Sequence, residues 1–206
     1  MTKPETSPGR KNFVTKAGLL SLLSVALAGC GRPVRPEPPI SVTLVPLGKV
    51  SDGEVSAVRR AIEKTYRARV TVGRRQSLPI STYYPPRHRY RADRLAAWLE
   101  GPGTGEKVLG LTRVDISVAA HGHADWGVGG FAGTGKRAGV VSSFRTKGDL
   151  GCLGEIAVHE LGHTLGRPHC PTPGCTMHDR GGTLPIGKSR IWLCDLCRRQ
   201  LAAWLR

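Results

Sequence analysis

His159-Glu160-Leu161-Gly162-His163-Thr164-Leu165-Gly166-Arg167-Pro168-His169 reads as the end of a helix that stops in time to bring a third imidazole back towards two others. Histidines four residues apart on a helix differ by about 40° in azimuth, so His159 and His163 reach one ion from the same side. Glu160 is turned by about 100° from His159 and reaches a water beside that ion without being a ligand. Leu153, Ala157, Leu161 and Leu165 form an apolar ridge roughly opposite the two histidines, which lets the helix pack on a core while the imidazoles face a cleft. Gly166 suits a residue of positive φ that ends the helix. Pro168 prevents the helix from resuming, and His169 then supplies a third nitrogen. Three neutral imidazoles leave a fourth position open on a tetrahedral zinc, the arrangement of a catalytic rather than a structural site.

Downstream, Cys170 and Cys175 bracket four residues, and Cys194 and Cys197 bracket two. Both spacings let a loop wrap two thiolates round one tetrahedral ion with no open position. Such a site would fasten the chain just after His169. Two disulfides are the competing reading, because the amino-terminal region described below points to an oxidising compartment. Cys152 is left over and is expected to be a small buried residue near the start of the helix. His121, His123 and Asp125, in a glycine-rich loop, and His178 are further polar candidates at the border of the cleft. Tyr83, Tyr84 and Tyr90 are candidate oxyanion partners that nothing in the sequence places.

Upstream, Ser41–Pro46 alternates and is β-branched, as a first strand should be. Ser51-Asp52 caps a helix expected to run to about Tyr66, with Val55, Val58, Ile62 and Tyr66 on one face. Residues 69–72, 108–111, 116–119 and 138–144 read as strands, and 91–99 as a helix stopped by Gly101-Pro102-Gly103. Residues 78–90 hold three prolines and read as a loop. Fourteen of the 27 glycines fall within 101–154, which favours short strands joined by turns over long helices.

The first residues look like an address. Four bases and one acid precede the apolar run Ala17–Ala28, too short to span a bilayer but suited to the core of a signal peptide. The run ends in Leu27-Ala28-Gly29-Cys30, which resembles a bacterial lipobox. That resemblance implies cleavage after residue 29 and a lipid on Cys30, the alternatives being a plain secretory signal or a retained anchor. The expected layout is a signal over 1–29, a stiff proline-rich linker over 30–40, and one domain over 41–206. The localisation that follows is the non-cytoplasmic side of a membrane, held through the lipid. The chain of 206 residues carries 31 Lys and Arg against 15 Asp and Glu. Without residues 1–29 the balance is still 27 bases to 14 acids, which favours acidic partners such as anionic headgroups. No basic run beyond the amino-terminal region exceeds two residues and no aromatics interleave them, which argues against a nucleic-acid partner.

Taken together, the run HExxHxxGxxHC, the Cys175-Thr176-Met177 that follows and the later Cys194-Asp195-Leu196-Cys197 are similar to the archaemetzincin family. Leu109–Thr112 with Asp115, Gly127–Phe131 and Val140–Arg145 resemble that family's sheet region more loosely. The resemblance implies a metzincin-like α/β domain, with a small mixed, twisted sheet packed by helices. It also implies a metal cleft below the sheet's edge strand and a zinc-bound carboxy-terminal loop and helix. Two zinc ions are implied, a catalytic one on His159, His163 and His169 and a structural one on Cys170, Cys175, Cys194 and Cys197, with Met177 as the Met-turn beneath the first. The activity implied is zinc-dependent peptide-bond hydrolysis with Glu160 as general base, on a peptide or protein substrate, by a monomer. The alternative is a catalytically weak, zinc-stabilised binding module at the cell envelope. The lipobox departs from the family, whose members are expected to be intracellular.

Overall fold

The computed structural model describes residues 39–101 and 104–206. The expected signal peptide and most of the linker, Cys30 included, lie outside the described residues. Among the described residues no helix is long and apolar enough to cross a membrane.

A five-stranded sheet organises the domain. Its strands are β1 (Ile40–Leu47), β2 (Ala68–Val72), β5 (Lys107–Thr112), β9 (Ala138–Ser142) and β8 (Gly130–Ala132), in the order β2-β1-β5-β9-β8. The first four pair in parallel, and β8 runs antiparallel along the edge of β9. Parallel strands covered on both faces need apolar residues on both sides, and β1 supplies them by alternation. Ile40, Val42 and Leu44 enter one core with α1 (Asp52–Thr65) and α3 (Leu150–Thr164), whereas Val45 and Leu47 enter another with α2 (Ala92–Leu99). Gly110 in the central strand lets α2 approach closely, since a Cβ there would stand 2.5 Å from Leu99 Cδ1.

Helix α1 begins as its sequence predicts. Ser51 Oγ accepts from the Glu54 amide at 3.3 Å, and Glu54 Oε2 accepts from the Ser51 amide at 2.8 Å, a reciprocal capping box. Helix α3 is capped by Asp149, whose Oδ1 accepts from the Cys152 amide at 2.9 Å. Cys152 is fully buried in the first turn of α3, and Leu153, Ala157 and Leu161 are fully buried along it.

Two parts of the fold differ from the sequence reading. Within 78–90, expected to be a loop, Tyr83–Tyr84 forms β3, and β4 follows at Arg89–Arg91. The prolines sit outside these short strands, before and between them, so they do not remove ladder donors. The second difference is a hairpin of β6 (Ile116–Ala120) and β7 (His123–Val128), in which Ala120 faces His123. His121 and Gly122 turn the chain with φ of 54° and 75°, the two positive values that a tight two-residue hairpin needs. These four strands make a second sheet in the order β3-β4-β6-β7. It is pinned by a chain of ion pairs: Arg145 to Asp115 at 2.7 Å, Asp115 to Arg89 at 2.7 Å and Arg89 to Asp125 at 2.6 Å.

Beyond α3 the chain is mostly turns and loops until α4 (Asp195–Gln200), and the carboxy terminus returns to the first layer, where Trp204 carbonyl accepts from the Arg67 amide at 2.6 Å. This segment and α4 hold Cys170, Cys175, Cys194 and Cys197, and the segment holds His169.

Candidate metal centres

Helix α3 ends at Thr164, and Gly166 turns the chain with φ of 91°. No neighbour stands within 4 Å of a Cβ built on Gly166, so the backbone angle alone demands glycine there. The turn brings His169 to the two helical histidines. One nitrogen of each ring lies within 4.8 Å of the others.

The other ring nitrogens explain why this cluster wants a cation. His159 Nδ1 meets the Thr176 carbonyl at 2.6 Å, and His163 Nδ1 meets the Arg167 carbonyl at 2.7 Å. A carbonyl only accepts, so both Nδ1 atoms carry the hydrogen. The two Nε2 atoms, 3.0 Å apart, then present lone pairs to each other. Two acceptors so placed repel unless a positive ion lies between them, and a tetrahedral zinc would hold its nitrogens about 3.4 Å apart. Burial, first, and the neighbouring His163, second, push the His159 pKa down to about 3, and burial lowers that of His163. Both imidazoles are therefore neutral donors at ordinary pH. His169 is more open, its side chain 49 % exposed, with Nδ1 3.5 Å from Asp179 Oδ2.

Glu160 follows His159 on the helix and is buried against the edge strand. A Cβ on Gly130 of β8 would stand 2.6 Å from Glu160 Cγ, so glycine makes the slot for this side chain. Burial alone raises the Glu160 pKa to about 8, and a nearby divalent ion would act in the opposite direction. Met177 is fully buried against Gly162, which lies between the two helical histidines in sequence. A Cβ on Gly162 would stand 2.5 Å from its Sδ, so the glycine in the middle of the motif is what admits the methionine.

The cysteines form a second, closed cluster. Cys170, Cys175, Cys194 and Cys197 are all buried, and their sulfurs lie within 4.8 Å of one another. The Cys170–Cys194 and Cys175–Cys197 separations are 3.5 and 3.6 Å. A disulfide needs about 2.05 Å, whereas the edge of a zinc–thiolate tetrahedron is about 3.8 Å. The donors around the sulfurs suit thiolates: the Thr172 amide reaches Cys170 Sγ at 3.4 Å, the Cys194 amide reaches Cys175 Sγ at 3.5 Å, and Arg167 Nε reaches Cys197 Sγ at 3.1 Å. Arg167 is itself only 5 % exposed. It touches both clusters, with its side chain on a thiol and its carbonyl on His163.

The cleft above the histidines has a volume of about 560 Å³ and is walled by Trp126, Val128, Phe131 and Ile156 among others. His121 and His178 line it, but neither joins the histidine cluster. His178 Nδ1 is 2.9 Å from the Cys170 carbonyl. Among the lining residues neither His123, Asp125 nor the tyrosines appear; Tyr83 and Tyr90 pack on each other in the second sheet. Asp179 and Arg167 were not singled out by the sequence, because a lone aspartate or arginine in a loop carries no spacing signal, and Gly130 was noted only within the stretch Gly127–Phe131, with no role. Glu155 did carry one: it precedes His159 by four residues and so shares its helical face.

No family model matches the chain. Archaemetzincin of Haloarcula marismortui is 29 % identical over 174 residues, covering 78 % of this chain and 98 % of that protein. The crystal structure of archaemetzincin from Methanopyrus kandleri superposes with a TM-score of 0.69 at 30 % identity, covering 82 % of this chain and 99 % of that one. The chain belongs to the archaemetzincin family. A second archaemetzincin structure, from Archaeoglobus fulgidus and complexed with malonate, gives a TM-score of 0.67 at 26 % identity over 78 % of this chain and 99 % of its own. The archaemetzincin fold is thus the expected mixed α/β domain, and the family is one of zinc metallopeptidases.

Proposed function

We propose that the chain hydrolyses peptide bonds in the cleft above His159, His163 and His169, with Glu160 as the general base. The observation that carries this reading is the pair of Nε2 lone pairs set face to face by carbonyls on the far side of each ring, with His169 completing the set. A zinc ion, which His159, His163 and His169 would hold, would supply a Lewis acid for the scissile carbonyl and lower the pKa of a water towards about 7. The chain's own work is positional. Glu160, confined by Gly130, takes the proton of the attacking water and returns it to the departing amide nitrogen. Apolar cleft walls exclude other water, and the Thr176 and Arg167 carbonyls hold the two helical rings in the tautomer that leaves Nε2 free.

A second ion, which Cys170, Cys175, Cys194 and Cys197 would hold, would serve structure, since four thiolates would leave no place for substrate. Lipidation at Cys30 and residence on the non-cytoplasmic face of a membrane belong to the same proposal and rest on the amino-terminal sequence, and a monomeric state is proposed on the family resemblance. The binding-module alternative is less well supported, because a module would have no use for an acid sunk beside three imidazoles.

The test pairs activity with metal content. Glu160→Ala should keep its full complement of zinc while peptide cleavage falls by a factor of about 10² to 10⁴. Cleavage at the parent rate in that variant, with zinc retained, removes Glu160 from its role. A parent chain that holds zinc at both clusters yet cleaves nothing in a broad peptide library overturns the peptidase reading and leaves the binding module.

A further inference from the structure

We infer that Arg180 is a carboxylate-reading group in the wall of the cleft, so that peptides bearing a free carboxylate near the bond to be cut are the preferred ligands. The inference deepens the peptidase reading and rests on the same cleft. Arg180 lines that cleft, and it is the one lysine or arginine among the residues that do.

The way Arg180 is held separates a reading group from a surface cation. Glu155 lies one helical turn before His159, and at 2 % exposure it is buried. Glu155 Oε1 accepts from Arg180 Nη2 at 2.5 Å, and its other oxygen accepts from the Arg190 amide at 2.7 Å. Glu155 borders the same cleft, but its carboxylate is spent on these two donors and is only 2 % exposed, while the arginine stays 27 % exposed. A guanidinium has five N–H donors, and among the described residues Glu155 is the one side chain that takes any of them. The remaining donors face a site in which the other acids are committed: Asp179 lies beside His169 and accepts from the Gly181 amide at 2.8 Å, and Glu160 sits in the Gly130 slot. An immobilised arginine in a partly apolar cleft matches the fork of a carboxylate better than it matches any neutral amide.

Two sources of carboxylate fit, an acidic side chain and a peptide's own carboxy terminus, and one experiment separates them. Equilibrium binding is measured by calorimetry on the zinc-loaded full chain carrying Glu160→Gln, which prevents turnover. The probes are peptide pairs differing only as Glu against Gln at each position in turn, and as free acid against amide at the end. The expected result is binding about tenfold tighter for the carboxylate member of one pair. That ratio should fall to about one when Arg180→Gln is added and be partly kept with Arg180→Lys. Because Arg180→Gln strands the buried Glu155, the double change Glu155→Gln with Arg180→Gln provides a neutral, foldable counterpart. A ratio near one in every pair overturns the inference, as does a preference that persists without Arg180, for then the carboxylate is held by the metal. Cleavage of the same peptides by the chain with Glu160 intact is read separately. If nothing is cut while the Arg180-dependent preference stands, the peptidase reading falls and the carboxylate site survives.

Discussion

His169 and Cys170 are neighbours in the chain, yet they belong to two donor clusters of opposite design. The histidine cluster offers three ring nitrogens and ends in a ring that is half exposed at the floor of a cleft. The cysteine cluster offers four sulfurs, none more than 6 % exposed. Zinc on three imidazoles keeps its full positive charge and a free corner, as a reacting centre requires. Zinc on four thiolates would have no free corner and a net negative charge, which amide donors and Arg167 are placed to offset from within the fold. The difference teaches that the second cluster positions the first. Cys170 fixes the residue after His169, its amide donating to the Met177 carbonyl at 2.7 Å, and the Thr176 carbonyl that orients His159 belongs to the same loop.

The strongest way to break the comparison is to remove the closed site. Cys194→Ser with Cys197→Ser should release one zinc and unfold the segment that follows α3. Structural zinc contributes about 10–16 kcal/mol in small zinc-binding peptides, which rivals the whole stability of a typical domain at about 5–15 kcal/mol. Thermal unfolding followed by circular dichroism, with zinc counted per chain, checks it. A variant that melts like its parent would show the cysteines to be ordinary core residues.

A gentler break separates the clusters by access. A chelator of moderate strength should first strip the ion at the open histidine site, abolishing cleavage while the fold persists. The second ion should leave only on unfolding or on modification of the thiols. The expected trace is two steps of zinc release, with activity lost entirely in the first and ellipticity in the second. A single step would mean that the two sites are not independent in exposure.

Arg167 sharpens the comparison because it joins the two sites. Arg167→Met leaves the carbonyl that holds His163 but removes the side-chain donor to Cys197. Outer partners of metal ligands are typically worth about 10–100-fold in metal affinity. We expect a loss in that range at the cysteine site, a smaller one at the histidine site, and partial rescue by Arg167→Lys. Competition with a fluorescent zinc indicator reads both. Unchanged affinity at the cysteine site would make Arg167 a packing residue only.

How much of this was open to reading from the chain alone follows from the range of each interaction. The first strand, the Ser51 cap and the turn at Gly166 are decided within a few residues, and each was legible. So was the convergence of His159, His163 and His169, because helix period and a glycine stop fix it locally. The β6–β7 hairpin was missed although its turn lies in two adjacent residues, since His121-Gly122 sits in a stretch so rich in glycine that no single one stands out. Strand β4, on which β3 pairs, is held by partners distant in sequence, Tyr90 beside Ile116 and Arg89 bound to Asp115 and Asp125, which no local pattern announces. The same holds for the Gly130 slot that receives Glu160 and for Arg180 on Glu155.

The smallest expected effect lies at the start of the zinc helix, and its sign with pH can be worked out. Asp149 accepts from the Cys152 amide at 2.9 Å through one oxygen and from the Gly187 amide at 2.7 Å through the other. It therefore caps α3 and at the same time ties down the chain just after residues 182–185, which line the cleft. The Gly187 bond and then the Cys152 bond hold its carboxyl below the usual carboxylate range. A group whose pKa is lower folded than unfolded stabilises the fold above the unfolded value, near 3.9, and loses that contribution as pH falls through the folded value. Asp149→Ala should cost about 1 kcal/mol at pH 7, with zinc content unchanged at both clusters. The gap between parent and variant should narrow as the pH drops below about 4. Denaturant unfolding of the two chains at a series of pH values measures it, and a gap that stays constant into strong acid would show that the cap acts through its shape rather than its charge.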